Sequence, residues 1–451
     1  MKNFILFFAL LFSFTSFAQI EGTWNGNIEI PNQKLPFVIH ISKANNQWKV
    51  MGESPMQTDE KFPLEKITFQ NDTLKISDSK LGMNYIGVLK NPKYIEGKFS
   101  QGGMSFPLNL EKGEFKLNRP QEPQPPFSYK TEDVTFENKE AKIKLAGTLT
   151  MPNGKGKFPA VVLVAGSGAN DRNEEIFGHK PFMVIADHLT KNGYAVLRYD
   201  KRGVASSEGN FSTATAFDFA NDTKSAIEYL KTIKEVDSKK IGILGHSEGG
   251  MIAQIIAAEN KDVPFIISLA GPGIAIDELM LMQKYAVEKA SGVPEDARKI
   301  NQTLFRKIYE IMKKDITNEQ AKQEIRLYIK SHPDTNDVPD EEIEQVASGV
   351  ENIWFRTFIK YNPENNIAKI KAKALIINGE KDVQVTAKEN LEGWRKGLAH
   401  NKKATIKSYP NLNHLFQTAK TGMPDEYGDI ETTIEPVVLE DITKWLNENV
   451  K

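Results

Sequence analysis

Over the first quarter of the chain, apolar and polar residues alternate in short runs. These are Thr23 to Ile30, Leu35 to Ser42, Trp48 to Glu53, Glu65 to Phe69, Thr73 to Ile76, Asn84 to Leu89, Tyr94 to Phe99 and Ser105 to Leu110. A period of two predicts strands with one buried face. Asn45-Asn46, Asn71-Asp72, Asn91-Pro92 and Gly102-Gly103 supply turn residues between them. About eight strands in such a span predict an antiparallel all-β module over 19–115, closed into a small barrel or sandwich. Four prolines follow between Pro120 and Pro126. They predict an extended, semi-rigid linker over 116–129, unpacked against its surroundings.

From residue 130 the pattern changes. Two β runs, Glu132 to Phe136 and Ile143 to Met151, lead into alternating strand and helix signals. Strands are predicted at Ala160 to Ala165, Ala195 to Tyr199, Lys240 to Leu244, Phe265 to Ala270, Ala374 to Asn378 and Thr405 to Ser408. Helices are predicted at Lys180 to Lys191, Phe217 to Lys231, Glu248 to Ala258, Ala387 to Gly397 and Glu435 to Asn449. That alternation predicts an α/β domain over 130–451, a mostly parallel sheet with helices on both faces. Residues 274–361 interrupt it with helical periodicity alone, at Asp277 to Lys289, Glu295 to Lys313, Glu319 to Ile329 and Asp340 to Phe358. An all-helical insertion there predicts a cap over the C-terminal ends of the strands, where open α/β sheets bind ligands.

The junction at Lys240–Gly250 carries the chemistry. A short apolar run (Ile241, Ile243, Leu244) gives way to helical spacing at Met251, Ile252, Ile255 and Ile256. Between them stands Gly245-His246-Ser247-Glu248-Gly249, a G-x-S-x-G on a strand-to-helix turn. The sharp turn strains Ser247, and glycines on either side leave room for crossing backbone. The hydroxyl is thereby presented at a helix N-terminus, where free N–H groups favour a developing oxyanion.

A serine needs a base, and the base an orienting carboxylate; on this kind of sheet they follow in the order Ser, acid, His. Asp382 lies just past the strand ending at Asn378 and is the preferred acid, with Glu380 a rival two residues away. Of seven histidines, only His332, His400 and His414 follow in the required order. His332 precedes Pro333 and reads as surface, and His400 closes a polar helix end. His414, in the loop after the last strand, is the expected base. His246 is expected to pack beneath the turn, and His179 and His188 to be structural. Oxyanion donors are expected from the Glu248 N–H and from the loop after the Ala160 strand, at Ser167 or Gly168. The charged run Ala169–Glu174, beside the expected site, offers either substrate contacts or bracing of its own loop, with bracing preferred, and Tyr199–Gly203 reads as a structural ion-pair turn.

Composition narrows the field. With 58 basic and 59 acidic residues the formal net charge is −1, which gives no electrostatic case for nucleic acid. There is no P-loop, no complete G-x-G-x-x-G and no H-E-x-x-H, and no metal or organic cofactor is expected. There is no cysteine, which removes a thiol nucleophile and any disulfide. Lys2, the apolar run Phe4 to Phe14 and Ser16-Phe17-Ala18 have the pattern of a secretory signal peptide over 1–18. The run is too short to span a bilayer, so the expectation is a soluble bacterial protein, exported to the periplasm or secreted.

With these residues placed, the chain from about Thr131 to Lys451 resembles the α/β-hydrolase superfamily. Leu163–Arg172, Arg198–Gly203 and Asn411–Phe416 are similar to motifs of its bacterial branch, which groups dienelactone hydrolase, prolyl-oligopeptidase-like and serine-aminopeptidase-like proteins. The resemblance implies carboxylesterase-type chemistry on a small-molecule ester, with Ser247 as nucleophile, Asp382 as acid and His414 as base. Where relatives often carry a His-Gly pair before the first oxyanion donor, this chain has Ala165-Gly166. The alternative is a peptidase, aminopeptidase or amidase with the same three residues. An aminopeptidase needs acids to hold the substrate's amine, and the cap residues Glu341, Glu342 and Glu344 are candidates. A third reading makes the β-module a docking domain beside an inactive hydrolase.

Overall fold

The computed structural model describes residues 20–30, 33–44, 47–56, 61–259 and 261–451. The expected signal peptide lies outside the described residues. The chain divides into two compact units, Met1–Asn118 and Arg119–Lys451.

The first unit is one antiparallel sheet of ten strands: β1 (Gly22–Ile30), β2 (Gln33–Ala44), β3 (Gln47–Glu53), β4 (Phe62–Pro63), β5 (Lys66–Gln70), β6 (Thr73–Asp78), β7 (Met83–Asn91), β8 (Tyr94–Gln101), β9 (Met104–Pro107) and β10 (Leu110–Lys112). The order is β4-β3-β2-β1-β10-β8-β7-β6-β5, with β9 on β8. The two outermost strands, β4 and β5, are separated by only Leu64 and Glu65. The sheet therefore curls until its edges meet, as a barrel does. Strands exceed the expected eight because β4 and β10 are too short to show a period. The interior is filled by Trp24, Ile39, Leu74, Tyr85, Ile95 and Leu110, and the Trp24 indole N–H donates to Ile20 O at 2.8 Å.

The second unit holds a sheet of eight strands: β11 (Lys130–Asn138), β12 (Ile143–Met151), β13 (Phe158–Val164), β14 (Ala195–Tyr199), β15 (Val236–His246), β16 (Phe265–Leu269), β17 (Lys373–Gly379) and β18 (Ala404–Tyr409). The order is β11-β12-β14-β13-β15-β16-β17-β18, antiparallel over β11, β12 and β14 and parallel from β14 onward. Successive residues of β13 feed different cores: Ala160, Val162 and Val164 one, Val161 and Leu163 the other. Both faces are covered by helices, which is why these strands read as continuous apolar runs. This is the α/β-hydrolase architecture, preceded by a β unit. After β13 the chain moves to β14 on one side and then to β15 on the other, so strand order reverses beside β13. Open sheets bind ligands in the crevice at such a point.

The cap lies between β16 and β17 and departs from expectation in one place. The single helix expected from Asp340 to Phe358 is two, Asp340–Ser348 and Ile353–Ile359, split by a tight turn at Gly349–Glu351. Asn352 caps the second, its side chain accepting the Phe355 N–H at 3.0 Å. The proline-rich segment also differs from an unpacked linker. Arg119 donates to four carbonyls of its own unit: Phe177 at 3.0 Å, Gly178 at 3.3 Å, Gly428 at 2.9 Å and Ile430 at 3.1 Å. Gln121 Oε1 accepts the N–H groups of Thr433 and Ile434. Proline stiffness leaves these two polar side chains free to anchor the segment.

Candidate active site

β13 and β15 are parallel neighbours with Val164 opposite Gly245, so the loops leaving their C-terminal ends meet. Ser247 stands between β15 and the helix Glu248–Glu259 at φ +52°, a left-handed backbone that a non-glycine residue adopts only under constraint. Its N–H donates to Leu269 O at 2.8 Å and its carbonyl accepts the Gly250 N–H at 2.9 Å. Both flanking glycines are sterically required. A Cβ on Gly245 would stand 2.0 Å from Gly249 O, and one on Gly249 1.9 Å from Val164 O.

Asp382 follows β17 and is held from both sides. Its Oδ1 accepts the N–H groups of Gln384 and Val385, each at 2.8 Å. Its Oδ2 lies 2.7 Å from Nδ1 of His414, which sits in the loop after β18. Both residues are buried, and His414 lines the same cleft as Ser247. Glu380 is turned to the surface, where it accepts from the Ser408 hydroxyl. His332 accepts the nearby Asp334 N–H, and His400 bonds the carbonyls of Gly397 and Ile370. His179 is fully buried between Thr433, Gln417 and Tyr427 O, and burial, helped by nearby Arg119, lowers its pKa to about 4.

His246 does more than fill space under the turn. Its Nδ1 lies 3.0 Å from Glu174 Oε1 and its Nε2 3.0 Å from the His414 carbonyl. A carboxylate and a carbonyl both accept, and a neutral imidazole has one N–H, so satisfying both requires an imidazolium. Burial opposes that charge, but the Glu174 carboxylate and the His414 carbonyl raise the His246 pKa. The ring lies against that of His414, centroids 4.7 Å apart. The same Glu174 oxygen accepts the Gly166 N–H at 2.5 Å, so this donor is already used.

A second buried ion pair joins Lys201 to Glu248, the residue after the serine. Lys201 Nζ contacts Gly166 O at 2.5 Å and Glu248 Oε2 at 3.1 Å. Glu248 Oε1 accepts the indole N–H of Trp354, from the cap, at 2.6 Å. The expected bracing is carried by Arg172, which donates to Asp200 through Nε at 3.0 Å and NH2 at 2.7 Å. Glu174 and Lys201 lie in the two charged runs noted in the sequence, but neither their burial beside Ser247 nor the part played by the Glu248 carboxylate was expected. The available signal was position, since their runs directly follow the ends of β13, β14 and β15.

The cleft has a volume of about 220 Å³. Ile176, Pro272, Leu279, Met280, Phe358 and Leu415 contribute its apolar wall. Glu174 and Glu248 are the acids lining it. Glu341, Glu342 and Glu344, expected as possible amine ligands, are exposed and off the cleft, with Glu344 held by Arg326 at 2.6 Å. Among the described residues no group of three or more acidic or histidine side chains forms a metal-binding cluster.

The chain is similar to several known proteins. The family model described as X-Pro dipeptidyl-peptidase (S15 family) matches residues 141–409. Esterase EstD of Thermotoga maritima is 29% identical over 325 residues, 71% of this chain and 68% of its own. The quorum-quenching protein AidA of Acinetobacter baumannii is 27% identical over 139 residues, 30% of this chain and 42% of its own. Among solved structures, the Pyrococcus furiosus esterase Pf2001 superposes with a TM-score of 0.45 at 16% identity, covering 75% of this chain and 100% of its own.

Proposed function

From the premise that the chain belongs to the X-Pro dipeptidyl-peptidase (S15) family, we propose that this hydrolase is a serine carboxylesterase acting through an acyl-enzyme. The observation that carries the reading is the hydrogen-bonded Asp382–His414 pair, whose His414 lines one cleft with the strained Ser247. Asp382 holds the His414 Nδ1 proton, leaving Nε2 as base. Ser247 Oγ attacks the ester carbonyl while His414 takes its proton. The tetrahedral oxyanion is stabilised by the N–H groups of Glu248 and Ser167. His414 then returns the proton to the leaving alkoxide, and water repeats the sequence to release the acid.

Ester chemistry is favoured over amine-anchored dipeptide cleavage by the state of the cleft's acids. A substrate ammonium needs an uncommitted carboxylate, but Glu174 is paired with His246 and Glu248 with Lys201. The apolar wall suits an uncharged acyl group instead. The N-terminal pattern of Lys2, Phe4 to Phe14 and Ala18 supports export; a mature N-terminus at Gln19 in secreted material would test it.

The decisive experiment sets p-nitrophenyl esters of increasing acyl length against aminoacyl-proline p-nitroanilides. Ester turnover is expected, strongest for short acyl groups, and Ser247→Ala should lower kcat by roughly 10⁶-fold. Efficient anilide cleavage by the wild type would move the assignment to peptidase, and turnover surviving in Ser247→Ala would remove Ser247 as nucleophile.

A further inference from the structure

Lys201 is a buried cation that the proposed chemistry does not use. It follows β14, its side chain is 5% exposed, and its ammonium is engaged in three directions. One is Gly166 O, the second is Glu248 Oε2, and the third is the face of Phe219, 4.4 Å from the ring centroid. An ammonium has three donors, so it has no proton left for a substrate. Burying it against a carboxylate costs desolvation energy that the pair only partly returns. A structural role in the core is served as well by an apolar side chain, so the location of the charge calls for a reason.

Lys201 joins two peptide units. The peptide whose carbonyl it binds is Gly166–Ser167, and the N–H of that unit belongs to Ser167. A trans peptide is planar with its C=O and N–H antiparallel. Lys201 and the Asn170 amide, which donates to the same oxygen at 2.8 Å, therefore turn the Ser167 N–H away from themselves. Gly166 lies against the nucleophile: a Cβ built on it would be 3.1 Å from Ser247 Cβ. The Gly166 N–H is committed to Glu174, whereas the Ser167 N–H has no acceptor among the described residues. The second partner of Lys201 is the side chain of Glu248, whose own N–H is a first-turn amide without an intrahelical acceptor. One ammonium thus fixes both residues expected to donate to an oxyanion. An ammonium on the carbonyl also polarises the peptide and strengthens its N–H as a donor. Trp354 of the cap takes the remaining oxygen of Glu248.

We propose that Lys201 is the positioning residue of the oxyanion hole, holding Ser167 and Glu248 in donor register and tying that register to the cap through Trp354. The inference rests on the acyl-enzyme reading above and selects Ser167 over Gly168 as the loop donor.

The test compares wild type, Lys201→Met and the double variant Lys201→Met/Glu248→Gln, the last leaving no unpaired buried charge. Ester kinetics are measured beside inhibition by an arylboronic acid, which adds to a serine and places a tetrahedral oxyanion in the hole. In both variants kcat is expected to fall roughly 10- to 100-fold with KM within about two-fold. Boronate affinity is expected to fall by the same factor. The double variant should regain the melting temperature lost in Lys201→Met without regaining kcat. A double variant with wild-type kcat would overturn the inference, as would boronate affinity that stays constant while kcat falls. Wild-type turnover that disappears in Ser247→Ala shows the parent reading intact, so that failure confined to the Lys201 variants falls on this inference alone. A wild type without turnover overturns both.

Discussion

The same charged residue types are used in opposite ways at the C-terminal ends of the central strands and on the cap. Around Ser247 the pairs Glu174–His246 and Lys201–Glu248 are almost fully shielded from water, and each bonds backbone as well as its partner. On the cap, Arg306–Glu278, Lys314–Glu324 and Arg326–Glu344 join neighbouring helices in solvent. Water screens the second kind to near irrelevance. The first kind is costly to break because the survivor is left buried and charged. Charge therefore builds geometry where the backbone must be held against strain, and supplies solubility where helices merely stack.

Glu174→Ala should break this contrast most severely. It strands the His246 imidazolium and frees the Gly166 N–H, and a loss of about 3–5 kcal/mol in denaturant unfolding is expected. A loss near zero would mean that His246 is neutral in the folded protein. Next in size is the response to acid. His179 has its folded pKa lowered from 6.5 to about 4, so between these values the unfolded chain binds more protons. The stability it confers is complete above pH 6.5 and is lost as pH falls toward 4, about 3 kcal/mol in all. His246 has the opposite sign: its pKa is raised, so its contribution is complete below pH 6.5 and is lost as pH rises through the folded value. Urea midpoints across pH should show both limbs, with the acid limb missing in a stable His179→Gln variant. The smallest effect belongs to the cap, where Arg306→Ala should leave the melting temperature unchanged at high salt. A clear drop there would show that the cap's surface pairs are not screened.

Sequence periodicity sufficed where burial is expressed as pattern. The strand-to-helix change around Ser247 and the run ending before Asp382 follow from apolar spacing. Chain order singled out His414, which is hydrogen-bonded to Asp382. What escaped were features without a period. Charged residues ordinarily mark surface, so nothing in Asp200-Lys201-Arg202 or in Asn173-Glu174 announces side chains turned inward. The break at Gly349 lies inside a helical pattern that continues across it, and the β4 and β10 strands are too short to alternate.

Arg119 carries a consequence for how the protein can be dissected. Its guanidinium gathers four carbonyls from the segments 177–178 and 428–430, and the second directly follows Tyr427, whose hydroxyl accepts from Gln384 two residues past Asp382. A protease nick or gene truncation at Asn118 leaves this clasp with the catalytic unit. A cut at Lys130 discards it, although both remove the whole barrel. The natural seam thus runs before the prolines, and the nine residues from Arg119 to Phe127 travel with the hydrolase.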